Sequence, residues 1–165
     1  MRSRISLWLK ALLFTLVAPG TVLGLVPGLL LSDGRGRVPD SLGIVEVLAL
    51  VLAAAGTALY SLCLATFLHV GQGTPAPIDP PTFLVAVGPY RYVRNPMYVA
   101  VAAIVAAEAL LFRSPAMAAY GGILFAAFHA FVVLYEEPTL HSRFGDSYDR
   151  YRSRVPRYLP RRARE

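Results

Sequence analysis

Three stretches of this chain, residues 11–32, 47–78 and 114–135, contain no Asp, Glu, Lys or Arg, and a fourth, 95–112, contains only Glu108. A helix rises about 1.5 Å per residue and a hydrocarbon core is roughly 30 Å thick, so each stretch matches or approaches the length of one membrane crossing. Of 165 residues, 56% are hydrophobic and 16% charged, a balance unlike that of a soluble domain. The expected fold is all-α: an integral membrane helical bundle of about four transmembrane helices, with spans near 11–32, 45–68, 96–112 and 115–135 in a single membrane domain over residues 1–165. This composition excludes intrinsic disorder and a disulfide scaffold. Cys63 is alone and lies in an apolar run, so it reads as a packing residue, and neither a thiolate zinc site nor any other metal site is expected.

Basic residues orient such a bundle, because cytoplasmic loops carry the excess of Lys and Arg. With both termini and the loop 70–96 inside, 13 of the 16 basic residues are cytoplasmic and only Arg35, Arg37 and Arg113 lie outside. Both termini are therefore expected to be cytoplasmic. The basic N-terminal cluster before an apolar run also suits a signal peptide, but no Ala-x-Ala-like site follows it. Pro19, Gly20, Gly24, Pro27 and Gly28 instead suggest a first span that is kinked and packed on neighbours.

Two pieces outside the spans are informative. The loop 70–96 runs through Pro75, Pro77, Pro80 and Pro81, which favour extended backbone, either as a linker or as a stiff cover over a site. In the segment 136–160, Leu140, Phe144, Tyr148 and Tyr151 recur at three- and four-residue spacing among charges, the pattern of an amphipathic helix lying on a membrane.

Polar residues in or beside a span need a reason. Glu46 and Glu108 fall near the outer interface and read as structural, while His129 lies within the fourth span. On a regular helix His129 and Glu136 share a face about 10 Å apart, so an imidazole would look down on a carboxylate; the alternative is a histidine bonded to a neighbouring helix. Glu136 and Glu137 end this span, and Pro138 is expected to stop the helix there. Their side chains would point about 100° apart, one to a cavity and one to water or a tail arginine. Two anions also oppose the dipole at a helix C-terminus, so a cation is expected beside them. Before the third span, Gly88 to Tyr98 offers three phenols, Arg91, Arg94 and the Asn95 amide, either to bind an anion or to anchor the chain at the interface.

The motifs Gly-Pro-Tyr-x-Tyr-x-Arg-Asn-Pro-x-Tyr and Glu-Glu-x-x-Leu-x-x-x-Phe-Gly-x-x-Tyr-x-x-Tyr-x-x-x-Val-Pro-Arg stand on either side of one membrane hairpin. In this order the chain, over about residues 70–160, resembles the membrane methyltransferases of the isoprenylcysteine carboxyl methyltransferase and phospholipid methyltransferase group. The resemblance implies S-adenosylmethionine as cofactor, bound on the cytoplasmic side. Carried across residue by residue, it implies contacts from Thr82, Phe83, Leu84, Val85, Tyr90, Asn95, Pro96, Met97, Tyr98 and Glu136. Asn95 stands where the family has His, and Val132 stands where prenylcysteine enzymes have a substrate-binding arginine, so a prenylcysteine acceptor is not expected.

The implied reaction is methyl transfer to a lipophilic small amphiphile arriving from the bilayer, catalysed by alignment and exclusion of water. Arg94 would orient an anionic acceptor, and Glu137 or His129 would serve as base for an amine or phenol. Two other readings remain: a nicotinamide-dependent membrane reductase similar to the sterol reductases, and a non-catalytic scaffold held to membrane lipids by its arginine-rich tail. Nucleic acid is not an expected partner, since topology accounts for the +6 net charge.

Overall fold

The structure, a computed structural model, describes residues 4–32, 40–71 and 83–160. Most of the proline-rich loop, Thr82, and the basic residues Arg2, Arg35, Arg37, Arg161, Arg162 and Arg164 lie outside the described residues. Among the described residues all regular structure is helical. Helices α1 (Arg4–Gly20) and α2 (Val26–Ser32) are joined by a π-helical turn, Thr21–Leu25. Helix α3 (Ile44–Thr66) ends in a second π turn, Phe67–Gly71. After a short 3-10 turn, Gly88–Arg91, come α4 (Pro96–Leu111) and α5 (Pro115–Phe131), then a third π turn, Val132–Glu136, followed by α6 (Glu137–Phe144) and α7 (Asp146–Arg154).

Three apolar helices are long enough to cross a membrane: Leu7–Ser32, Ile44–Val70 and Pro115–Phe144. The expected third span is shorter, since the 16 residues of α4 rise roughly 24 Å. Large apolar side chains such as Leu16, Val51, Ile123 and Leu134 are exposed on the outer faces, which suits hydrocarbon and would be a liability in water. Inside, small residues let helices approach. A Cβ added to Gly56 on α3 would come within 2.8 Å of Ile104 Cγ1 and 3.0 Å of the Ala100 carbonyl oxygen on α4. Buried Cys63 packs with Val85 and Tyr90.

Two of the π turns share a cause. Proline has no N–H, and its ring collides with the carbonyl four residues back in a regular α-helix. Before Pro27 the Val26 N–H reaches back to the Thr21 carbonyl, and before Pro138 the Glu137 N–H reaches back to that of Val132. Each five-residue step opens the turn by one residue, so the helix passes through its proline. Contrary to expectation, Pro138 therefore does not end span four at residue 135; the apolar helix runs on to Phe144. The device also strands a carbonyl. Val22 O has lost Val26 N–H to Thr21, and its next partner along the chain is Pro27; Tyr120 Oη donates to it at 2.9 Å. By the same logic Val133 O is left without a backbone donor.

The tail also departs from expectation. Gly145, at φ +49°, breaks the helix, and α7 turns back so that Tyr148 is buried within the protein. Part of the aromatic stripe expected to face lipid thus has a partner in the chain itself.

Candidate active site

Helices α4 and α5 form a hairpin whose connecting turn is held by an ion pair. Buried Glu46 accepts from the Gly43 N–H at 3.0 Å and from Arg113 Nη2 and Nε at 2.7 and 3.1 Å, which fits its structural reading. This hairpin places the start of α4 beside the α5–α6 junction. At that end the chain enters α4 through a turn seated on α3: Gly88 has φ +60°, and a Cβ there would lie 2.9 Å from Thr66 Oγ1. Tyr90 is buried against the edge of Phe67, and burial raises its phenol pKa well above the ordinary value.

The tail is stitched onto this turn. The Arg94 and Asn95 N–H groups donate to the carbonyls of Pro156 and Arg157 at 2.7 and 3.0 Å, and Tyr151 Oη donates to the Tyr90 carbonyl at 2.6 Å. Asn95 does not cap α4 with its side chain; its Nδ2 lies 3.5 Å from the Arg157 carbonyl.

The two adjacent carboxylates receive different partners. Glu137 accepts from Arg94 Nη1 at 3.0 Å and from Arg157 Nε and Nη2 at 2.6 and 2.9 Å. Arg94 Nη1 also donates to Tyr148 Oη at 3.1 Å, while its Nε is buried with no acceptor among the described residues. Hydrogen bonding to Glu137 raises the Arg157 pKa, so its guanidinium stays charged. Glu136 has no cation beside it among the described residues; its hydrogen bond is a short one, 2.5 Å, from Tyr98 Oη, whose ring packs on Phe128.

The structure thus joins Arg94, Tyr98, Glu136 and Glu137, and brings Asn95 to the edge of the group. It does not bring His129 over Glu136. The π turn between them shifts the register by one residue, roughly 100°, and His129 is exposed, with its Nδ1 3.2 Å from Tyr158 Oη. Val85, Tyr90 and Pro96 are buried, Met97 packs against both clusters around Tyr60 and Cys63, Leu84 is half-buried and Phe83 is exposed. Three residues given no site role from the sequence, Tyr148, Arg157 and Tyr158, come from the tail. The Tyr-x-x-Tyr and Val-Pro-Arg spacings carried that signal, but nothing local says which turn they close upon.

Two cavities adjoin the group. One of about 560 Å³ is apolar, between α4 and α5, lined by Val99, Ala102, Phe125 and Leu159 among others. The other, of about 320 Å³, is lined by Arg94, Arg152, Arg154 and Arg157 together with His129. Pro156 and Tyr158 wall both.

The described residues form an all-helical protein with membrane-length apolar helices and with acidic, basic and phenolic groups gathered at one end of a two-helix hairpin. Compared with protein families, residues 47–147, more than half of the chain, match phospholipid methyltransferase, and the protein belongs to that family. It is accordingly a membrane methyltransferase. Comparison with curated proteins finds no match.

Proposed function

We propose that this enzyme transfers a methyl group from S-adenosylmethionine to a lipophilic acceptor drawn from the bilayer, with the site and both termini on the cytoplasmic side. The observation that carries this reading is Glu136: a half-buried carboxylate whose neighbour Glu137 takes two arginines while, among the described residues, it takes only a phenol. A carboxylate withdrawn from water without a cation is an unfilled seat for one. The unmatched Val133 carbonyl nearby adds an acceptor. This set fits the ammonium and sulfonium charges of S-adenosylmethionine.

The bound cofactor would supply an electrophilic methyl on sulfur. Glu136, oriented by Tyr98, holds positive charge, and the start of α4 from Asn95 to Tyr98 forms the adjoining wall, reached from the loop side by Phe83 and Leu84. Val85 and Tyr90 support that wall from beneath. The Arg94–Glu137–Arg157 clasp fixes the tail against it, so rate comes from positioning. The apolar cleft suits the hydrocarbon part of the acceptor. For an acceptor needing deprotonation, His129, paired with Tyr158 at the junction of the cavities, is the available base; Glu137 is committed to its arginines.

Calorimetry of the purified full chain in detergent tests the reading. Glu136→Gln should weaken S-adenosylmethionine binding by about 10- to 100-fold, the effect of one charged hydrogen bond of about 1.5–3 kcal/mol. Unchanged affinity overturns the site. Binding of reduced nicotinamide dinucleotide phosphate with none of S-adenosylmethionine replaces it with the reductase reading, and binding of neither favours the scaffold.

A further inference from the structure

We propose that Pro138 is a positioning residue for the methyl-donor seat: the π turn ahead of it sets the rotational register of Glu136 and Glu137, so that a carboxylate and not the Tyr135 phenol stands beside Tyr98. This deepens the methyl-transfer reading and rests on it.

A π turn carries one residue more than an α turn, so every residue beyond it stands where its predecessor would stand in an unbroken α-helix, a shift of about 100° around the axis. Here the wide step is made by the Glu137 N–H reaching back to the Val132 carbonyl. Glu136 then meets Tyr98 Oη, and Glu137 meets Arg94 and Arg157. If the turn closed while α5 stayed in place, each side chain would move on to the next one's position. Tyr135 would take the place beside Tyr98, Glu136 would enter the arginine clasp, and Glu137 would take the exposed place of Pro138. The clasp survives such a slip with a carboxylate in it, whereas the donor seat loses its charge.

The surroundings fix which side would move. Helix α5 is held on its neighbours: Tyr120 Oη donates to the Val22 carbonyl at 2.9 Å, Phe128 packs on Tyr98 at 4.6 Å between centroids, and Met117 is buried. Helix α6 is mostly exposed and ends at Gly145, around which there is open space, so α6 is the part free to turn. Packing does not demand the extra residue, since Leu134 is 77% exposed and Tyr135 49%. Pro138 does demand it, because it has no N–H and its ring would collide with the Leu134 carbonyl in a regular turn. Pro27 stands in the same relation to the turn Thr21–Leu25, one residue past the N–H that makes the wide step.

Titration of the full chain in detergent with S-adenosylmethionine, alongside thermal midpoints, tests the register. Pro138→Ala lets the turn close and should bind the donor about tenfold more weakly or worse, with a midpoint no lower than that of the wild type. Deleting Leu134 as well gives a regular helix whose carboxylates return to their native places, and this double variant should recover wild-type affinity. The register also has a readout without donor, from unfolding in dodecyl sulfate mixed micelles. In the wild type Glu137→Leu should cost more stability than Glu136→Leu, and in the Pro138→Ala background that order should reverse, because Glu136 then holds the arginines. Wild-type affinity in Pro138→Ala overturns the proposal, as does an unreversed order, or a double variant that keeps its midpoint and still binds weakly. Where a midpoint falls, the order of the two costs decides. An affinity that Glu136→Gln lowers and Pro138→Ala does not sinks this inference alone, whereas an affinity indifferent to Glu136→Gln sinks the reading beneath it as well.

Discussion

Removing members of the Arg94–Glu137–Arg157 clasp one at a time should rank them by burial. Side-chain exposures are 11% for Arg94, 12% for Glu137 and 40% for Arg157. Breaking a buried ion pair by deleting one partner costs about 3–5 kcal/mol, because the survivor is left charged and unsolvated, whereas exposed pairs contribute about 0.2–1 kcal/mol. Arg157 is open enough to water that its loss should cost about 1 kcal/mol, and Glu137 keeps Arg94 when it goes. Arg94→Met removes the buried cation but leaves Arg157 on the carboxylate, for about 3 kcal/mol. Glu137→Leu strands two cations, one of them buried, and should cost about 4 kcal/mol. In the Arg94→Met/Glu137→Leu double variant the losses should fall short of additivity by about 2 kcal/mol. Unfolding by dodecyl sulfate in mixed micelles, followed by circular dichroism, gives all four values. An Arg157→Met loss equal to that of Glu137→Leu, or additive losses in the double variant, would refute the view that burial sets the strength of this clasp.

Two further outcomes follow from the backbone and the tail. Deleting Leu134 closes the third π turn into a regular α-helix and forces Pro138 against the preceding turn, at a cost of about 3 kcal/mol; adding Pro138→Ala should restore the thermal midpoint, and absence of rescue would mean that the proline does not maintain the π turn. Burial raises the pKa values of Tyr148 and Tyr151. Their folded pKa values therefore exceed the unfolded value near 10, so stability is intact below about pH 10 and falls as pH rises beyond it. Alkaline titration followed by absorbance near 295 nm should show late-titrating phenols, with a shallower loss of stability in Tyr151→Phe; equal slopes would separate tail docking from these hydroxyls.

Much of the polar cluster at this end of the hairpin was legible before any geometry because its parts are marked by local chemistry. In the sequence Glu136 and Glu137 read as a helix end where anions are unfavourable, which called for a cation; the helix in fact runs on to Phe144, yet the structure does supply Arg94 and Arg157 to Glu137. That the two carboxylates diverge follows from helical geometry alone. Of the two readings of His129, the shared face with Glu136 assumes that every turn is α-helical, and the π turn ahead of Pro138 breaks that count, while a hydrogen bond to Tyr158 is what the imidazole makes. The tail stripe of Tyr148 and Tyr151 read as amphipathic, but periodicity cannot tell a lipid surface from the 90–95 turn as the thing it covers.

The helices, their apolar character and the polar groups that had to gather at one end are properties of neighbouring residues and of the membrane thickness, so the order of amino acids determines them. Which arginine serves which carboxylate, the Tyr98–Glu136 hydrogen bond and the meeting of an apolar cleft with an arginine-lined one at Tyr158 are matters of tertiary structure. They arise from contacts between residues tens of positions apart, whose partners are chosen by packing and by where each helix changes pitch, and no local pattern carries that information.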